Sequence, residues 1–434
     1  VEALKRAWKR IVERHGVFRT FFAWEGLQEP VQIVRRQAEL QWEEQDWRGL
    51  SAEDQAHKIA AFLDANRERG YDLKRAPLMR LALNRLEEDS YHFVWSHHHL
   101  LTDGWSGPLI VKEVLDLYTA YCEGEELFLP SPRPFRDYIA WLNRQELKKA
   151  EEYWRKTLKG FAAPTPVMAG RPPSDHSNSN EHGIKTVLLS NERKTSLQAF
   201  GRTHQLTITT MIQGAWALLL NYNSGNEDIL FGNVCSGRPV DLEEAESMIG
   251  IFINTLPIRV QVSPHARMLD WMKELQSNQL DARQYEYSPL FEVQGWSDVP
   301  RGQQLFETFI TVSNYPVNSA LADWKGPLAI KDMVSVERAS YAINLVAITR
   351  EYWQFELKYD ARRFSDSSMD RMLSQFVTLL ESFPIYSDAT LETFKAILSE
   401  EEKRQRRMKQ RGFHEARKKM LETAKQKVLS KGNR

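Results

Sequence analysis

Cysteine is almost missing from this 434-residue chain: Cys122 and Cys235 are the only two. Two cysteines cannot build a disulfide framework, and their scarcity fits a reducing cytosol, so a cytoplasmic location is the expectation. An excess of charge of one sign is missing as well. Lysine and arginine number 58, aspartate and glutamate 58, and a formal net charge of zero gives no chain-wide attraction to nucleic acid. No apolar run is long enough to cross a bilayer, and Val1-Glu2-Ala3-Leu4-Lys5 reads as a charged amphipathic helix rather than a signal peptide. Neither nucleic acid nor membrane is therefore an expected partner. The chain also lacks an initiator methionine, which leads us to expect a piece of something longer. Nor does any period of roughly 20 to 50 residues repeat cleanly, although helices and strands mix throughout.

What is present is enough chain for two cores, because 434 residues exceed the usual limit for one. Residues 1 to 15 predict an amphipathic helix with Leu4, Trp8, Ile11 and Val12 on one face, followed by a strand over Val17 to Phe22 and its hairpin partner at Val31 to Val34. A helix over Gln55 to Arg69 stops at Gly70. Leu78 to Leu83 is expected to pair with Phe93 to His99. After a proline-rich break at Pro130 to Pro134, Phe135 to Leu158 reads as one long helix, and Ala162 to Gly183 reads as a linker between lobes. In the second half, the apolar helix Met211 to Leu220 should be buried by a sheet, and strands are expected near 186–189, 229–234, 306–313, 345–349 and 353–359. Helices over 191–203, 269–284 and 366–382 complete it. Asn254 lies in the apolar run Met248 to Arg259, where an unbonded amide would cost on the order of 1 to 3 kcal/mol, so it must be bonded, most simply to backbone. From Glu400 the composition turns basic without interleaved aromatics, which favours a solvated linker over a nucleic-acid arm.

The chemistry concentrates in Ser96-His97-His98-His99-Leu100-Leu101-Thr102-Asp103-Gly104-Trp105-Ser106. Tyr91 to Trp95 reads as a buried strand running into the histidines, and alternation would send His97 and His99 to one face and His98 to the other. Ser106 can cap a helix carrying Ile110, Val114, Leu117, Tyr118 and Tyr121 at helical spacing, with Gly124 as its stop. A rigidly held imidazole suits proton transfer near neutral pH, which makes His99 a candidate base. Asp103 could orient that imidazole, or pair with a buried arginine and hold the loop. Arg19, a charge inside an apolar segment, is one such partner. Zinc is the weaker reading, because adjacent strand residues point apart and no nearby Cys or Glu completes a ligand set. On local pattern, catalysis and a packed core pair both stay open.

His98 through Gly104 matches HHxxxDG, and the chain as a whole resembles the condensation domains of nonribosomal peptide synthetases. Further landmarks stand in family order: Arg14-His15 to Arg19-Thr20 is similar to RHxxLRT, and Tyr71-Asp72-Leu73 with Ala76-Pro77-Leu78 to FDLxxAPL. Ile249 to Thr255 is similar to IGxFxNT, and Leu305 to Pro316 to PLFxTxxxxxNYP. The resemblance implies an α+β fold of two chloramphenicol acetyltransferase-like α/β sandwich lobes, arranged as a V with a central tunnel. It places the lobes at 1–160 and 185–398, with a linker at 161–184 and a basic tail at 399–434. The implied reaction joins a donor acyl or peptidyl thioester to an acceptor aminoacyl thioester. Both would be carried on the phosphopantetheine of donor and acceptor carrier protein domains, with neighbouring synthetase domains in the same longer chain and no directly bound cofactor or metal. His99 would be the catalytic residue. His98 and Trp105 would shape the site, Asp103 would pair with Arg19, Gly104 would leave room for substrate, and Asn254 would line the site from the second lobe. The family begins with a further segment, so truncation at the start is expected. No EGHGRE-like motif points to an epimerization domain, and intact histidines argue against both a cyclization domain and a noncatalytic domain that recruits a tailoring enzyme.

Overall fold

The computed structural model describes residues 1–167, 182–313, 324, 326–335, 341–349 and 352–404. The chain divides into two compact units. One comprises Val1–Glu146, Ser236–Asn254 and Tyr315–Val336, the other Leu147–Cys235, Thr255–Asn314 and Glu337–Arg434. This division differs from the contiguous one expected, since 236–254 returns to the first unit.

In the first unit α1 (Glu2–Arg14) buries Trp8, Ile11 and Val12 of the expected stripe and also Ala7, while Leu4 is only partly buried against the same core. The expected strand over Val17 to Phe22 begins late. Gly16–Arg19 is a 3₁₀ turn that buries Val17 and Phe18, and only Thr20–Ala23 (β1) is extended, paired antiparallel with β2 (Val31–Val34). A three-stranded sheet follows in the order β3 (Trp42–Asp46), β4 (Met79–Arg85), β5 (Tyr91–His97). Between β3 and β4 runs α2 (Ala52–Glu68), capped by Ser51, whose hydroxyl accepts from the Asp54 N–H. β4 and β5 pair as the sequence predicts, with Met79 opposite His97. Next comes α3 (Ser106–Glu123), ending at Gly124, and it packs on α1. Trp8, Phe18, Leu78, Met79, Leu81, Leu101, Ile110 and Leu117 share one core. The helix expected over 135–158 is two helices, α4 (Arg136–Leu142) and α5 (Leu147–Leu158), and the boundary between the units falls between them.

The second unit holds a six-stranded sheet in the order β6 (His182–Leu189), β11 (Trp353–Asp360), β10 (Ile343–Thr349), β9 (Thr308–Ser313), β7 (Asp228–Cys235), β8 (Asn254–Gln261). Between β6 and β7 lie α6 (Asn191–His204) and α7 (Ile208–Ser224), and α7 is buried from Thr210 to Asn221. Its Trp216 indole donates to the Thr308 hydroxyl at 3.2 Å, which satisfies the polar atom of that buried ring. After β8 come α8 (Met268–Arg283) and the short α9 (Leu290–Gly295), where no helix was expected; α10 (Asp366–Ser382) packs on α7. The greater part of the expected linker, the Asn314-to-Pro316 end of its motif, and the basic tail beyond 404 lie outside the described residues. No described helix is long and apolar enough to cross a membrane.

Candidate active site

β5 ends at His97, so strand alternation does not separate the histidines that follow; His98 and His99 stand in the loop leading to α3. Backbone bonds hold that loop. The His98 N–H donates to Leu78 O at 2.9 Å, extending the β4 contact by one residue, and Leu101 N–H donates to His98 O at 3.0 Å.

Each imidazole has a distinct assignment. His99 Nδ1 lies 2.8 Å from the Thr102 carbonyl oxygen. A carbonyl can only accept, so Nδ1 carries the proton, and in the neutral ring Nε2 is left with a free lone pair. His99 is exposed and Thr102 is buried, so a fixed residue orients an accessible ring. His98 has the opposite tautomer: its Nδ1 accepts from the Leu100 N–H at 3.1 Å, and the ring meets Tyr71 edge-on at 6.2 Å. Burial, then the nearby His99 imidazole, lowers the His98 pKa. His97 stacks on Trp95 at 4.5 Å and its Nε2 lies 2.9 Å from the Thr102 hydroxyl. Burial pushes its pKa down to about 4, with His99 and His98 adding to the shift.

That depression makes the fold sensitive to acid. Unfolded, His97 protonates near its ordinary 6.5; folded, it stays neutral to about 4. Between these values the unfolded chain binds the extra proton, so stability falls as pH drops from 6.5 toward 4 and is unaffected by this group above 6.5. The loss should reach roughly 1 to 3 kcal/mol for a half-buried group. Urea midpoints measured across this range should show a shallower slope in His97→Phe; an unchanged slope would remove His97 as its source.

Asp103 is the polar centre of the loop. Its side chain is 0% exposed. Oδ1 accepts from the Ser106 N–H at 2.9 Å, lies 2.8 Å from the Ser106 hydroxyl, and is 3.3 Å from Arg238 Nη2, while Oδ2 accepts from the Phe252 N–H at 3.0 Å. Asp103 therefore caps α3 from three residues before its first residue, the role expected of Ser106. Ser106 instead places its hydroxyl 2.9 Å from the Gly250 carbonyl oxygen and accepts from the Gly250 N–H at 3.2 Å. Arg238, its side chain 4% exposed, donates to the Met248 carbonyl at 2.9 Å and to the Ala245 carbonyl, and lies over the Phe252 ring at 4.1 Å. A buried carboxylate and guanidinium thus compensate each other with most of their hydrogen-bonding capacity engaged.

This corrects the expected Asp103–Arg19 pair. Arg19 Nε donates to Val12 O at 3.0 Å, and Nη1 donates to the carbonyls of Arg35 and Arg36. Placed at the end of the 3₁₀ turn, it faces a carbonyl from the last turn of α1, where a cation is favoured. Trp105 donates to Glu246 O at 3.0 Å, with its ring 5.8 Å from the Arg238 guanidinium carbon. Gly104 occupies the turn before α3. Asn254 is half-buried and opens β8 rather than sitting inside a strand. Among the described residues no group of three or more His, Cys, Asp or Glu is placed to hold a metal ion.

Sequence reasoning did not find Arg238, Ser106 as a bridge, or Thr102. The Gly237-Arg238-Pro239 loop carried the available signal, an arginine fixed between two residues of special backbone geometry. Gly237 has φ 61°, and a Cβ there would lie 1.7 Å from the Phe252 carbonyl oxygen, so only glycine lets Arg238 approach. At Gly250 a Cβ would meet the Phe135 ring at 2.1 Å. Gly250→Ala should force that ring aside and cost about 1 to 3 kcal/mol, read as a lower urea midpoint, with Gly107→Ala, where a Cβ meets nothing within 4 Å, as the mild control.

A family model described as "Condensation domain" matches residues 1–405. A linear gramicidin synthase protein of Brevibacillus parabrevis is 42% identical over 414 residues, covering 93% of this chain. The chain spans 8% of that relative's length. Among solved structures, the X-domain from teicoplanin biosynthesis has a TM-score of 0.75 at 19% identity, covering 90% of this chain and 88% of its own. The first condensation domain of the calcium-dependent antibiotic synthetase, in complex with a substrate analogue, has a TM-score of 0.69 at 15% identity over 90% and 89%. At these identities the structural likeness is one of fold.

Proposed function

Since the chain belongs to the condensation-domain family of nonribosomal peptide synthetases, we propose that it forms an amide between a donor acyl or peptidyl thioester and an acceptor aminoacyl thioester. Each would be tethered to the phosphopantetheine arm of a carrier protein. The observation that carries this reading is the His99 tautomer: with Nδ1 donating to the Thr102 carbonyl, Nε2 presents a lone pair on an exposed ring. The acceptor amine attacks the donor carbonyl as Nε2 takes its proton. The tetrahedral intermediate then collapses to the amide and expels the pantetheine thiolate, which recovers that proton as a thiol. Base catalysis of this kind contributes ~10²–10⁴-fold, and alignment of two tethered substrates can contribute as much. Asp103, Arg238 and Ser106 hold the loop from below, while His98, Gly104, Trp105 and Asn254 shape its surroundings. Substrate-loaded donor and acceptor carrier proteins, mixed with this protein, should yield an acceptor whose mass has grown by the donor acyl group. Binding of both loaded carriers without any transfer would support a noncatalytic recruiting domain instead.

A further inference from the structure

His97 lies outside the HHxxxDG signature, and the mechanism above does not use it. It is nevertheless tied to the loop: its Nε2 is 2.9 Å from the Thr102 hydroxyl, and the Thr102 carbonyl in turn takes the His99 Nδ1 proton at 2.8 Å. We propose that His97 is a positioning residue for His99, acting through Thr102: the His97–Thr102 bond fixes the residue whose carbonyl sets the His99 tautomer and ring direction. The inference rests on His99 being the reacting histidine.

The geometry supplies the reasons. Thr102 is 1% exposed, so a hydroxyl left unbonded there would carry a desolvation penalty, and the bond to His97 removes it. Threonine is stiff about χ1, so holding Oγ1 also holds Cβ and the peptide beyond it. His97 is itself fixed from two sides, by the stack on Trp95 and by its place opposite Met79 in the β4–β5 ladder. The relay therefore runs from a sheet, which is rigid, to a ring in a loop, which would otherwise rotate. Without the latch, Thr102 O can turn away, and His99 can exchange its Nδ1–H tautomer for Nε2–H, in which Nε2 is a donor and cannot accept a proton.

The test uses ¹⁵N-histidine-labelled protein and does not depend on amide formation. Wild-type His99 should show a protonated Nδ1 and an unprotonated Nε2, as its bond to the Thr102 carbonyl requires. His97→Phe and Thr102→Val should mix the two tautomers and lower kcat for transfer on the order of tenfold, below the ~10²-fold that a misplacement of about 1 Å can cost, with KM for the acceptor carrier unchanged. Thr102→Ser keeps the hydroxyl and should restore both readouts, which separates the latch from a general loss of folding. If His97→Phe and Thr102→Val leave the His99 tautomer and kcat as in wild type, the positioning role is overturned. If the tautomer shifts but wild-type protein transfers nothing, the latch stands and the reading of amide formation falls.

Discussion

His99→Ala is expected to lower kcat for amide formation by ~10²–10⁴-fold while leaving the affinity for loaded carrier proteins within a few-fold of wild type. The direction follows from the site. The alanine variant loses the free Nε2 lone pair, whereas the loop keeps Asp103, Ser106, Arg238 and the Gly250 backbone. The ring is exposed and, among the described residues, bonds a single backbone carbonyl, so its removal should cost about 1 kcal/mol of stability, too little to unfold the domain. A fall in kcat together with loss of the urea transition would point to a structural histidine. A fall in kcat with an unchanged transition is the catalytic signature. If transfer in His99→Ala is within about twofold of wild type, alignment rather than base catalysis carries the rate.

The second large effect is expected at Arg238. Arg238→Ala leaves the Asp103 carboxylate buried without its cation, and breaking a buried pair from one side typically costs about 3 to 5 kcal/mol. Asp103→Ala should cost a similar amount for the mirror reason, with the Phe252 N–H and Ser106 N–H losing their acceptor as well. The double variant should be less damaging than the sum of the singles, because neither charge then remains. Among the described residues Arg19 bonds backbone carbonyls only, so Arg19→Ala should cost about 1 to 2 kcal/mol. Urea denaturation of these four variants and of the Arg19→Ala, Asp103→Ala double variant decides between these partners. If Arg19→Ala is as damaging as Arg238→Ala and couples to Asp103 in the double-variant cycle, the assignment of the pair is wrong.

Much of the first unit was legible because local signals agreed there. The α1 stripe, the Gly124 stop and the β4–β5 pairing each follow from spacing within a dozen or so residues, and the structure has them. The failures came where a distant segment decides. Val17 and Phe18 look like strand, yet burial against α1 is met by a 3₁₀ turn. Phe135 to Leu158 carries a continuous helical pattern, but the chain breaks at 143–146 to pass from one unit to the other. β3 is too polar to announce itself, since its strand depends on pairing parallel to β4. At the site, the motif placed His99 and Asp103 at the loop, but it could not choose the arginine. Arg19 stands far before Asp103 in the chain and Arg238 is 135 positions after it, and no local rule ranks contacts across such distances. What decides is that the 236–254 segment returns to the first unit, a fact of topology.

The central claim is that the accessible Nε2 of His99, rather than the neighbouring imidazole, serves the reacting amine. Single-turnover transfer from a loaded donor carrier to a loaded acceptor carrier, read by intact mass with His98→Gln and His99→Gln side by side, tests it most directly. His98 Nδ1 is engaged by the Leu100 N–H, so the account predicts that His98→Gln slows transfer modestly and His99→Gln slows it by ~10²-fold or more. Full-rate transfer by His99→Gln, with His98→Gln inactive but folded, would contradict it.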